Sequence, residues 1–330
     1  MRTVGTQVRG IRIPIIKEGD DLVEIVASSL LNSCEEEGYE LRDKDVVGIT
    51  ESILARAQGN YITVDDIAEE IKDKFKGPLG IVFPILSRNR FSMILKGIAR
   101  SEYKIYLQLS YPRDEVGNAL MDVNKMNELG INPYSDTLSE EEYLEAFGDY
   151  KHPFTGINYL KFYKEFAEEE EIECILSNDP ETILDYTDNV LTADIHTRSR
   201  TKNILKNAGV STVLGLDDLF NQKVKGKGFN PEYGLLGSNK ASDERLKLFP
   251  RDGDKFVNKL QKRLKEITGK NIEIMVYGDG AFKDPVGKIW ELADPVVSPG
   301  FTAGLKGTPN EVKLKYLADN DLKDLQGEQL

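Results

Sequence analysis

Residues 173–216, ECILSNDPETILDYTDNVLTADIHTRSRTKNILKNAGVSTVLGL, alternate short apolar runs with polar, helix-like stretches. Three runs, Glu173–Ser177, Val190–Ile195 and Thr212–Leu216, have the length and the β-branched content of buried strands. Asp179 precedes Pro180, a residue suited to the first helical position, and so opens a helix over Pro180–Thr187. The next connection, Thr197–Asn207, is closed by Gly209. Strand–helix–strand–helix–strand at this spacing predicts a parallel sheet with helices laid on it.

Outward from this stretch the texture changes on both sides. Residues 101–230 are expected to form an inserted three-layer α/β subdomain, with 1–100 and 231–330 building a second unit of mixed α+β type. In that unit Ile11–Ile16 is an apolar run. Asp20 or Asp21 can cap a helix with Leu22, Val23, Val26, Ala27, Leu30 and Leu31 at helical spacing. Val46–Thr50 reads as a strand entering Glu51–Gln58, and Thr63 with Asp66 forms a capping-box pattern for the next helix. Ile81–Ile85, Phe91–Ile98 and Lys104–Leu109 read as strands. Near the other end Phe256, Val257, Leu260, Leu264 and Ile267 mark an amphipathic helix ended by Gly269. Ile272–Tyr277, the strongest strand, then runs into Gly278-Asp279-Gly280. The expected fold class is mixed α/β: an α+β core with mixed sheets carrying the inserted subdomain.

A chain of 330 residues, 40% hydrophobic, is long enough for one large core or two domains. The formal net charge of −13 repels phosphate backbones and anionic lipid, so neither nucleic acid nor membrane is an expected partner. No apolar run approaches the roughly 18 residues a membrane helix needs, and the N-terminal residues have no leader pattern. The two cysteines, Cys34 and Cys174, make neither a disulfide framework nor a zinc-type spacing. A cytoplasmic enzyme is the expectation. An acidic enzyme acting on acids must gather its positive charge, or a metal, inside the site.

Three places carry candidate chemistry. Asp279 sits between Gly278 and Gly280 just past a buried strand, a setting that holds a carboxylate rigidly and lets a ligand reach the backbone. Such a carboxylate suits a hard cation, and Lys283 would add a point charge for phosphate. The plainer reading is a tight strand-exit turn. In Val46–Gly59, the Thr50-Glu51-Ser52 triplet and Arg56 suit an anion, or else are an ordinary helix start with an exposed Arg. Ala193–Arg198 puts Asp194 and His196 at a strand end, where open α/β sheets bind ligands, and Asn178 ends the neighbouring strand in the same way. The alternative is helix capping by Thr197 with a structural histidine. No Walker loop, dinucleotide fingerprint, nucleophile elbow or zinc-protease helix occurs.

Gly10–Leu22, Ser52–Gly59 and Leu264–Asp279 together resemble the coenzyme F-420 gamma-glutamyl ligase family. The first block is similar to its Gly-Leu-Pro-(Leu/Ile)-Ile and Gly-Asp-Asp-Leu opening. The second is similar to a Ser-Lys-Ala-Glu-Gly segment, with Arg56 at the Lys. The third is similar to a Leu-Thr-Gly-Lys helix end, strand and metal-binding Asp. The resemblance covers the first hundred residues and about 230 to 320, with no counterpart for 100–230, and would make residues 1–100 and 231–330 a ligase-like core. It implies GTP as co-substrate, held by Ile13, Pro14, Ile15, Ile16, Glu51, Ser52 and Arg56. It also implies Mg2+ or Mn2+ at Asp279 and at Gly280, where the family has a Thr. The family's second metal Asp falls near Gly237–Ser242, where Asn239 is the nearest oxygen ligand. The implied reaction adds L-glutamate to an acid acceptor, a coenzyme F-420 precursor or a related cofactor, in a homodimeric enzyme. The family's Gly-rich terminal loop has no counterpart before Leu330. A non-catalytic nucleotide- or metabolite-binding protein of the same fold, or an enzyme centred on the inserted domain, are the competing readings.

Overall fold

A computed structural model describes residues 7–153, 155–167, 171–278, 281–283, 290–292, 297–306, 314–326 and 329. In chain order the first elements are α1 (Leu22–Glu37), β1 (Val46–Thr50), α2 (Glu51–Ala57), β2 (Tyr61–Thr63), α3 (Val64–Lys74), β3 (Leu79–Val82), α4 (Phe91–Ala99) and β4 (Ile105–Leu109). Next come α5 (Val123–Glu128), β5 (Leu138–Ser139), α6 (Glu140–Phe147), α7 (Tyr159–Lys164), β6 (Ile172–Leu176), β7 (Asn189–Thr192), α8 (Arg198–Asn207) and β8 (Thr212–Gly215). The last are β9 (Ser238–Lys240), β10 (Arg245–Leu248), α9 (Gly253–Thr268), β11 (Glu273–Gly278), β12 (Ala281–Lys283), β13 (Trp290–Leu292), β14 (Val297–Phe301) and α10 (Leu314–Asp319). The fold is mixed α/β with mixed sheets.

One sheet has the order β1-β11-β14, with β1 and β11 parallel and β14 antiparallel to β11. Its inward residues Ile49, Ile274 and Val276 meet the apolar faces of α1 and α9, through Leu22, Val26, Leu30, Val257, Leu260 and Leu264. The caps hold as expected at both helices. Asp21 accepts from the backbone N–H groups of Val23 and Glu24, and Gly38 and Gly269 close α1 and α9 in the left-handed region.

A larger sheet has the order β5-β6-β4-β3-β7-β8, parallel except for β5. The chain fills it from β3 outward through β4 and β6, then crosses to the other side of β3 for β7 and β8. Its central strand β3 comes from residues 79–82, ahead of the 101–230 stretch. Both faces are covered. Ile81, Leu107 and Leu191 join the main core, while Val82, Ile175 and Val190 pack with Ile183 and Leu205 on the other side. Such double burial explains why these strands read as continuous apolar runs rather than alternating ones. Pro180–Asp185 forms a 3-10 turn rather than a full helix, with Asp179 capping Glu181.

Phe91–Ala99, expected as a strand, is helix α4. It is buried on nearly every side, from Phe91 to Leu95 and again from Gly97 to Ala99, so its sequence shows no polar face to betray a helical period. Gly97 is required there, because a Cβ would lie 2.6 Å from the Cβ of Ile67 on α3.

A small antiparallel sheet, β2-β10-β9, joins the two regions. Its inner residues Ile62, Leu246 and Leu248 enter the main core. Asn60, fully buried, donates to the carbonyls of Phe229 and Phe249 at 3.1 and 2.6 Å and accepts from the Phe229 N–H, tying the α2–β2 turn to the later chain.

Candidate functional site

The strand pair β1/β11 delivers two chain segments to one place. Thr50 lies opposite Tyr277, so Glu51, the first residue of α2, is level with Gly278 at the exit of β11. Glu51 is only 7% exposed. Its Oε1 accepts from the Lys247 Nζ at 3.2 Å, and its Oε2 is buried without a hydrogen-bond partner among the described residues. A buried carboxylate demands compensation, and a single ion-pair contact leaves half of its acceptor capacity unused.

Lys247 comes from β10. Alternation along Arg245-Leu246-Lys247-Leu248 sends both leucines into the core and both cations to the opposite face. On that face Lys247 has two cross-strand neighbours, Tyr61 of β2 and Asn239 of β9. Arg245 stacks over the Tyr61 ring, 4.5 Å from its centroid. The exposed face of this small sheet therefore gathers two cations, an amide and a phenol beside the half-paired carboxylate of Glu51. In a protein of net charge −13 this is the local concentration of positive charge that an acid-handling site needs. Neither Lys247 nor Arg245 was a sequence candidate. Their signal was two cations on the polar side of a strand, and the partner carboxylate lies 196 residues away in the chain.

The other expected residues are distributed as follows. Ser52 and Arg56 are exposed and four residues apart, on one face of α2. Ile13–Ile16 is irregular chain: Ile16 is buried with Leu22 and Leu54, while Ile15 is 80% exposed. This segment is tied to the end of α2 through the Gly19 N–H, which donates to the Ala57 carbonyl at 2.9 Å. Gly59, at φ +59°, lies so close to Glu18 that a side chain would collide with it. Ile13–Ile16, Ser52 and Arg56 thus share the neighbourhood of α2. Asp279 and Gly280 lie outside the described residues. Lys283 is in β12, opposite Trp290, and its side chain lies outside them too.

Asn239 lies in β9 as the cross-strand partner of Lys247, and Asp279 and Gly280, expected to share a cation with it, lie outside the described residues. Among the described residues no group of three or more His, Cys, Asp or Glu could hold a metal ion.

In the six-stranded sheet the reversal of strand order falls between β3 and β7, and Asp194 follows β7 by two residues. It is 1% exposed. Its Oδ2 accepts from the hydroxyls of Thr197 at 2.6 Å and Thr201 at 2.8 Å, which ties it to the first turn of α8, and its Oδ1 has no partner among the described residues. Glu115 accepts from the backbone N–H groups of Ile195 and His196, the latter at 3.0 Å. His196 itself is exposed. Asn178 is not gathered with them: β4 and β3 stand between β6 and β7. Its side chain accepts from the Tyr111 N–H at 3.1 Å and donates to the carbonyls of Tyr111 at 2.5 Å and Pro133 at 3.0 Å, fixing the loop after β4. A void of about 10 Å³ near the ends of β3 and β7 is lined mainly by apolar side chains, among them Ile85, Phe91, Ala193, Ile195 and Leu236, together with Arg90.

The chain is thus a mixed α/β protein with a buried ion pair at a parallel strand end, flanked by a cationic sheet face. The chain belongs to the F420-0:Gamma-glutamyl ligase family, whose sequence profile matches residues 10–330. The match runs through residues 100–230 as well. Membership supports a ligase role in coenzyme F-420 biosynthesis, with small molecules as substrates. No curated protein gives a match. Among the described residues no helix is long and apolar enough to cross a membrane.

Proposed function

We propose that the protein joins L-glutamate through an amide bond to a carboxylic-acid acceptor, a coenzyme F-420 precursor or a related cofactor, using GTP and Mg2+ or Mn2+ as a cytoplasmic homodimer. The observation that carries this reading is the family match over almost the whole chain. The cationic face at Lys247 and Arg245 supports it, since every substrate of such a reaction is anionic.

The acceptor carboxylate attacks the terminal phosphorus of GTP, forming an acyl phosphate and releasing GDP. The glutamate amine then attacks the acyl carbon; the C–N bond forms, the C–O bond to phosphate breaks, and the amine gives up a proton. In this reading Ile13–Ile16, Ser52, Arg56 and Lys283 form the nucleotide side, where Arg56 supplies a fixed cation for phosphate. The divalent ion would rest on Asp279 and Gly280, and its chemistry there would be neutralisation of phosphoryl charge. Lys247 keeps a second positive charge at the strand ends. No side-chain nucleophile is required, in keeping with a thiol at Cys174 that burial pushes up to about 12.

The test is phosphate release from GTP with magnesium, glutamate and acceptor, with the amide product read by mass. Wild type is expected to need all four, and Asp279→Ala to lose at least ~100-fold. Failure of GTP to raise the melting temperature at any magnesium concentration would end the reading. The buried, unpartnered Oδ1 of Asp194 favours a second site in the six-stranded sheet. Activity that survives Asp279→Ala and disappears in His196→Ala would move the chemistry there.

A further inference from the structure

The half-paired Glu51 has a defined complement. Among the described residues its Oε2 is a buried acceptor lacking a donor, while Lys247, with a side chain 12% exposed, has two of its three N–H donors beyond the bond to Oε1. A ligand that satisfies both must bring a donor and an acceptor close together on one small framework. The ammonium and carboxylate of an α-amino acid meet that requirement. Arg245 lies two residues along the same face of β10, roughly 7 Å from Lys247 along the strand. Its stacking on Tyr61 holds a second cation at a spacing suited to a side-chain carboxylate.

We propose that Glu51, Lys247 and Arg245 form the pocket that selects and orients the incoming acidic amino acid. Glu51 Oε2 accepts from its ammonium, Lys247 pairs with its α-carboxylate, and Arg245 pairs with its side-chain carboxylate. The proposal rests on the ligase reading and deepens it: Glu51 serves the amino acid rather than the nucleotide. A carboxylate there repels phosphate, whereas it holds the amine that must become the nucleophile. One charge at the end of β1 and two on β10 then fix the orientation of the substrate.

The test is calorimetric binding of three probes to the full-length protein with GDP and magnesium present. The probes are L-glutamate, glutarate (which lacks the amine) and 4-aminobutyrate (which lacks the α-carboxylate). In the wild type each analogue is expected to bind roughly 10–100-fold more weakly than glutamate, the value of a charged hydrogen bond. Glu51→Gln should erase the preference over glutarate, Lys247→Met the preference over 4-aminobutyrate, and Arg245→Met should weaken all three probes together, since each keeps the side-chain carboxylate. Because Lys247→Met strands a buried charge, the neutral pair Glu51→Gln/Lys247→Met, checked for folding by circular dichroism, serves as the second variant. A folded double variant that binds glutamate like wild type overturns the proposal, as does a wild type indifferent to the amine. If GTP binds and turns over while these substitutions leave glutamate affinity untouched, the pocket alone is wrong. If GTP does not bind, the ligase reading itself has failed.

Discussion

Two regions of this molecule end a parallel strand in a buried carboxylate, and they use it differently. After β1, Glu51 meets one ammonium from a distant strand and keeps an unused oxygen beside an exposed cationic face. After β7, Asp194 also keeps an unused oxygen, but its other oxygen accepts two hydroxyls from its own following helix. The neighbouring Glu115, and Asn178 beyond β4 and β3, are likewise taken up with backbone groups of loops. Asp194 is held by its own following helix, whereas the partner of Glu51 comes from a distant strand on a polar face.

Lys247→Met should break this contrast most severely. Removing the one ammonium that, among the described residues, bonds a 7%-exposed carboxylate leaves an uncompensated charge, with a loss of about 3–5 kcal/mol in urea unfolding. Adding Glu51→Gln should recover most of it, to within about 1–2 kcal/mol of wild type. If the single variant is as stable as wild type, the pair is solvated and the distinction between the two strand ends collapses.

Asp194→Ala should remove two hydroxyl bonds and loosen the exit of β7, with a loss of about 1–3 kcal/mol and no change in GTP turnover. A large fall in kcat at unchanged stability would instead give Asp194 a share in the chemistry. A smaller effect is expected at the helix that packs against α4. Thr63 accepts from the Asp66 N–H at 3.0 Å and Asp66 accepts in return from the Thr63 N–H at 2.7 Å. Thr63→Ala should therefore lower stability by about 1 kcal/mol, again leaving turnover alone.

Most of the scaffold was legible because its signals are local. The Thr63/Asp66 capping box, the Asp21 cap, Gly269 and the apolar stripe of α9 each lie within one or two helical turns, and each forms as expected. Periodicity failed at Phe91–Ala99, where burial on nearly all sides removed the polar face that separates a helix from a strand. The site was less legible for a different reason. Glu51 was visible as a polar residue at a strand end, but its role depends on Lys247, and nothing in a single sequence links positions 196 residues apart. Asn178 looked equivalent to Asp194 because both follow strands. Only the sheet order, which interposes β4 and β3, separates them.

The finest test of the contrast is pH dependence, since two scaffold carboxylates shift in opposite directions. Burial raises the pKa of Asp114 above 3.8, against the opposing bonds from the Asn118 side chain and from the backbone N–H groups of Leu86, Asn118 and Val116. Burial also pushes Asp66 upward, but bonds from Thr63 and the Lys227 ammonium outweigh it and hold Asp66 below 3.8. The native state thus holds its proton on Asp114 more tightly than the unfolded chain does, so this group's contribution falls as pH rises from about 4 through its raised folded value. For Asp66 the stabilising contribution is complete above about 4 and is lost as pH falls through its lowered folded value. Unfolding free energies measured by urea from pH 3 to 7 should therefore flatten on the neutral side in Asp114→Asn and on the acid side in Asp66→Asn. The lost acceptor capacity in Asp114→Asn shifts the whole curve downward, but only the lost titration changes its slope. An unchanged slope between pH 4 and 7 in Asp114→Asn would mean that the carboxyl titrates as it does in the unfolded chain, and that its bonds to the backbone fully offset its burial.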